Sequence, residues 1–76
     1  MQYNTLGFYI RKKRLLSKMS LNSFAIENNI EPAILSRIER TQQGIKLNTL
    51  IKIANGFNMS AGEFLTEFEK LADTLN

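Results

Sequence analysis

A chain of 76 residues, 43% of them apolar and 22% charged, has room for one domain spanning 1–76, and at this size it buries only about 60% of its unfolded surface, so its core must be compact. The absence of cysteine and histidine, together with the lack of a Gly-rich phosphate loop or a carboxylate pair with an acid or base partner, excludes disulfide stapling and argues against an enzyme, a metal site, a cofactor or a small-molecule ligand. A net charge of +3 and a sequence pI of about 9.5 favour a polyanionic partner.

Met1 to Thr5 contains no positive region leading into an apolar run, and no stretch approaches the roughly 20 apolar residues that span a bilayer, so a cytoplasmic protein with no membrane partner is expected. With one proline, four glycines and no low-complexity stretch, no linker divides the chain. The spacing of Leu6, Ile10 and Arg14 at i, i+4, i+8 predicts helix 1 from about Asn4 to Lys18. Ser20 precedes Leu21, Phe24 and Ala25 as an N-cap, which predicts helix 2 over about 21–28, and Asn28-Asn29 stops it, with Asn29 expected at positive φ. Glu31-Pro32 reads as the cap and first residue of helix 3, which ends near Arg40. Leu35 and Ile38 turn inward with Ile34 beside them, while Ala33, Ser36, Arg37 and Arg40 share another face. Beyond the polar connection Thr41-Gln42-Gln43-Gly44, Leu47, Leu50, Ile51, Ile53 and Ala54 predict a nearly all-apolar, central helix 4 over about 47–56. Asn58 repeats the turn role of Asn29, and Ser60 with Glu63 matches a capping box, opening a helix 5 that runs through Phe64, Leu65, Phe68, Leu71 and Leu75.

The expected class is therefore all-α, five short helices with helices 2 and 3 in a helix-turn-helix arrangement. The residues Ile10 and Arg14, Ser20, Phe24-Ala25, Asn29-Ile30, the string Leu35-Ser36-Arg37-Ile38-Glu39-Arg40, Leu50 with Ile53-Ala54, and Met59-Ser60 before Glu63-Phe64-Leu65 carry more than that. Through them the chain resembles, from Leu6 to Leu65, the Cro/repressor-type helix-turn-helix family of phage repressors and bacterial regulators. The resemblance implies a compact, lambda-repressor-like five-helix bundle that docks helices 2 and 3 on double-stranded DNA, commonly as a homodimer on a palindromic operator. It implies a DNA-facing set of Ser20, Leu21, Asn22, Glu31, Pro32, Ala33, Ser36, Arg37, Arg40, Gln42, Gln43 and Lys46, and a structural pair of Arg14 with Glu39.

The chain departs from the family pattern at Leu21, where the family usually has a backbone-contacting glutamine, and at Asn29, which replaces the turn glycine. Of the positions where the family reads bases, only Arg37 can form a bidentate contact to guanine; Ala33 can touch a thymine methyl, and Glu31 can accept from cytosine or serve as a cap. Lys46 with Gln42 and Gln43 suits phosphate contacts, although an ordinary loop lysine reads much the same. The residues of the tract Arg11-Lys12-Lys13-Arg14 cannot all face one surface, because successive helix residues point about 100° apart, and Lys12 and Lys13 read as a solvated face. Phe8, Tyr9, Leu15 and Leu16 lie off the Leu6–Ile10 stripe, and Phe68, Leu71 and Leu75 prolong helix 5. That surplus is expected to form a dimer interface, the alternative being a helix 5 folded back over helix 1. The expected function is a sequence-specific transcriptional regulator, a repressor acting as a dimer. A protein-interaction module on the same scaffold and an antitoxin-type autoregulator are the alternatives.

Overall fold

The computed structural model describes the backbone of residues 5–75 and the side chains of residues 5–71. Helix α1, Leu6–Leu16, starts at a cap, the Thr5 hydroxyl accepting from the Phe8 backbone N–H at 3.2 Å. Ser20 starts α2, Leu21–Glu27, in the same way, accepting from the Ser23 N–H at 3.1 Å. Helix α3, Pro32–Glu39, opens on proline, whose missing N–H falls where an α-helix has no use for one. Helix α4 spans Leu47–Gly56 and α5 spans Ala61–Leu75. At α5 the capping box is complete, with the Glu63 N–H donating to the Ser60 hydroxyl and the Ser60 N–H donating to the Glu63 carboxylate. Among the described residues there are five helices and no strand.

All five helices contribute to one apolar core made of Tyr9, Ile10, Phe24, Ala25, Ile30, Leu35, Ile38, Leu50, Ile53, Ala54 and Phe64. Helix α3 packs against α1 and α2, and α4 packs against α5. A run of aromatic contacts joins the two groups. Phe24 stacks on Phe57 with centroids 4.7 Å apart, Phe57 on Phe64 at 5.9 Å, and Phe64 meets Tyr9 at 5.1 Å. Two glycines permit close approach. A Cβ on Gly7 would lie 2.1 Å from the Ile38 carbonyl oxygen, and one on Gly56 would lie 2.7 Å from the Phe24 ring.

Several sequence expectations need correction. Helix 1 ends at Leu16 and not Lys18, because Lys18 adopts φ 58° and closes the helix; its expected start at Asn4 lies outside the described residues. Asn28 and Arg40 are C-caps that follow α2 and α3, not members of them. Helix α4 is not buried all round: Leu50, Ile53 and Ala54 turn inward, while Leu47 is 69% and Ile51 41% exposed. Leu47 is the first residue of the helix, and Ile51 is rotated about 100° from Leu50, at the edge of the buried stripe. Tyr9 is not surplus but a core residue, because the buried stripe of α1 is wider than the line through Leu6 and Ile10. Phe68 packs on Tyr9 within the same chain, at 5.5 Å between ring centroids, so this part of α5 does fold back on α1.

Candidate nucleic-acid interface

The arrangement of α2, the turn 28–31 and α3 is fixed from beneath and from both ends. The Ile30 N–H donates to the Ala25 carbonyl at 2.8 Å, and the Ile30 side chain is buried under the turn. This return bond requires the intervening residue to be left-handed, and Asn29 supplies φ 61°. The Asn28 amide donates to the Phe24 carbonyl at 2.8 Å, and Lys52 of α4 donates to the Asn29 carbonyl at 3.1 Å. The turn thus has its polar groups engaged on both sides, toward α2 and toward α4.

At the far end of α3 lies the most buried charge in the described molecule. The Arg14 Nε donates to one Glu39 carboxylate oxygen at 2.8 Å and its Nη2 to the other at 2.9 Å, while Nη1 donates to the Met19 carbonyl at 2.8 Å. Both side chains are almost fully buried. The hydrogen bonds that Arg14 donates to Glu39 push its pKa up against the opposing effect of burial, so the guanidinium stays charged. The pair joins the end of α1 and the 17–20 loop to the last residue of α3. Both ends of α3 are therefore anchored while its outer face stays open.

That outer face carries exposed Ala33, Arg37 and Arg40, with Ser36 half-buried between them and exposed Glu31 at the entrance beside half-buried Pro32. Glu31 occupies the N-cap position, as expected, but its side chain, longer than those that favour this position, makes no capping bond there. Lys46 likewise stands at the N-cap position of α4 with no side-chain cap, leaving its ammonium exposed beside the 41–45 loop. At the start of α2, Ser20 and Asn22 are exposed, whereas Leu21 is half-buried and packs against the core.

Two contacts on this face were not legible in the sequence. Arg37 Nε donates to Gln43 Oε1 at 2.8 Å, and Arg40 Nε donates back to the Ser36 carbonyl at 3.3 Å. The Gln43 contact exists because Thr41 turns left-handed at φ 60° and returns the chain, with the Gln42 N–H donating to the Arg37 carbonyl at 2.8 Å. Only the polarity of Thr41-Gln42-Gln43-Gly44 signalled a loop there, and nothing in it signalled the direction of return. Away from this face, Phe8, Arg11, Lys12, Leu15 and Leu16 line a shallow depression on α1, and Leu71 is 45% exposed on α5; the Leu75 side chain lies outside the described residues.

The arrangement offers planar guanidinium donors and an ammonium on the exposed face of one helix and its adjoining loop, chemistry suited to phosphates and base edges. Among the described residues no group of three or more His, Cys, Asp or Glu could hold a metal ion, and no helix is long and apolar enough to cross a membrane.

The fold is a five-helix bundle containing a helix-turn-helix. It is similar to the crystal structure of the clp gene regulator ClgR from Corynebacterium glutamicum, with a TM-score of 0.79 over 99% of this chain and 80% of that one, at 20% sequence identity. No protein-family model matches the sequence, and no curated protein matches it.

Proposed function

We propose that the chain is a double-stranded DNA-binding transcriptional regulator that inserts α3 into the major groove. The observation that carries this reading is the outer face of α3, open to solvent with Arg37 and Arg40, on a helix held at both ends by the Asn29 turn and the Arg14–Glu39 pair. A helix held at both ends and presenting a basic face suits groove recognition. The likeness in fold to a gene regulator supports it.

In this reading Arg37 is the chief base reader, with Ala33 and Ser36 beside it and Glu31 and Pro32 at the helix entrance. Arg40, Lys46, Gln42 and the α2 start at Ser20, Leu21 and Asn22 lie along the DNA backbone. The regulator acts as a repressor and as a homodimer. Leu71 and the outer face of α1 at Leu15 and Leu16, exposed by 50% and 75%, supply apolar surface for pairing.

An electrophoretic shift assay on the DNA upstream of the coding sequence tests both parts. Loss of a base contact by Arg37→Ala costs about 1–3 kcal/mol on the specific site alone, whereas Lys46→Ala weakens all sequences similarly and lowers the salt slope by about one. Sedimentation of the wild type and Leu71→Asp across micromolar concentrations tests the dimer, and a wild type that stays monomeric with and without that DNA removes it.

A further inference from the structure

We infer that Gln43 is a positioning residue for Arg37, holding the guanidinium so that its two Nη groups are the edge offered to a guanine. The inference rests on the DNA-binding reading and assigns Gln43 a role other than a phosphate contact. Its basis is the 2.8 Å hydrogen bond from Arg37 Nε to Gln43 Oε1. A guanidinium presents its donors in a fixed planar fork, and it can engage a two-acceptor edge either through Nε with one Nη or end-on through both Nη groups. Gln43 occupies Nε and so removes the first option. Among the described residues nothing else engages the Arg37 guanidinium, so Nη1 and Nη2 remain as a parallel pair on an exposed side chain. Guanine O6 and N7 form the major-groove edge with two adjacent acceptors that such a pair matches.

The contact is built into the fold. Gln43 sits two residues beyond Thr41, whose left-handed backbone turns the chain back, and the Gln42 N–H is bonded to the carbonyl of Arg37 itself. The partner of the side chain is thus delivered by a bond to the same residue's backbone. Arginine loses several rotatable bonds when it docks on a base, and a side chain already held forfeits less freedom on binding.

The test is enrichment from a pool of fully randomised duplexes by the 76-residue chain, compared among wild type, Arg37→Ala, Gln43→Ala and the double variant, with melting temperatures alongside. Wild type is expected to enrich a guanine whose preference Arg37→Ala abolishes. Gln43→Ala should reduce that preference about three- to ten-fold, leave affinity for unselected duplex and the melting temperature unchanged, and add nothing in the Arg37→Ala background. If Gln43→Ala instead weakens every duplex equally with the guanine preference intact, Gln43 is a phosphate contact and the positioning role falls while the DNA-binding reading stands. A wild type that binds duplex but enriches no sequence removes the positioning role, and one that retains no duplex removes both.

Discussion

Arg14 directs three donors at acceptors on two other segments of the chain, and no buried side-chain polar atom among the described residues lacks a partner. Removing either half of such a pair strands the other in a low-dielectric interior. Arg14→Ala or Glu39→Ala is therefore expected to cost about 3–5 kcal/mol, while Lys12→Ala, on an exposed position, stays within about 0.5 kcal/mol; chemical denaturation compares them, and equal small losses would contradict the role given to the pair. The pairing was legible through resemblance alone, since no rule of local spacing connects positions 25 residues apart. Tyr9 was misread because the alignment of Leu6 with Ile10 left it outside the stripe. Its hydroxyl donates to the Glu67 carboxylate, which also accepts from Lys13 at 2.8 Å. Burial, then the Glu67 hydrogen bond and its charge, push the Tyr9 pKa well above its ordinary value of 10.0. The folded state thus keeps a proton that the unfolded state releases above about pH 10, so the stability that Tyr9 contributes is complete below that pH and declines above it. Glu67 behaves oppositely. Hydrogen bonds from Lys13 and then Tyr9 lower its pKa, so its contribution is present above about pH 4 and lost as the pH falls through the folded value. Denaturation midpoints from pH 9 to 11.5 should fall more steeply for the wild type than for Tyr9→Phe, and parallel curves would count against the linkage.

The ends of α1 to α4 share one device. Lys18, Asn29, Thr41 and Asn58 all have positive φ, and in each the following N–H returns to a carbonyl five residues earlier, from Met19 to Arg14, Ile30 to Ala25, Gln42 to Arg37 and Met59 to Ala54. These are Schellman closures made without glycine. The two asparagines could be read from the sequence because their side chains tolerate this conformation, whereas lysine and threonine give no such sign. At Lys18 and Thr41 the return bonds and the packing beyond them impose the geometry. Threonine, branched at Cβ, suffers most: the left-handed region costs an L-residue about 1–2 kcal/mol, against about 0.5–1 kcal/mol for the extra chain freedom of glycine. Thr41→Gly is accordingly expected to stabilise by about 0.5–1 kcal/mol. The opposite exchange at Gly7 should destabilise, because an alanine Cβ would meet the Ile38 carbonyl oxygen at 2.1 Å and force α1 from α3 at a cost of about 1–3 kcal/mol. Thermal melts of the two variants should move in opposite directions. Neither close approach, at Gly7 or at Gly56, was visible in the sequence, since both follow from how the helices cross and not from any periodicity.

At the scale of the whole molecule, the five helices and their order were legible because caps, asparagine stops and apolar spacing agree along the chain. The surplus apolar residues were harder to assign: Tyr9 and Phe68 complete the core of this chain, while Leu15, Leu16 and Leu71 remain exposed. Helical periodicity marks a residue as apolar-facing but does not say whether the neighbour belongs to the same chain. The open basic face of α3 raises a different question, which electrostatics can answer. Arg37, Arg40 and Lys46 are exposed together around α3 and its following loop, and cations that displace counterions from phosphates impose a salt dependence of about 0.9 in log K for each phosphate neutralised. The direct measurement is fluorescence anisotropy of the wild-type chain on labelled upstream duplex from about 50 to 300 mM salt. Binding that weakens linearly in log salt, with a slope of about −2 to −4 per protomer and a reduction of about one in Lys46→Ala, is the expected result; no binding to this or any other duplex at the lowest salt, or binding indifferent to salt, would contradict it.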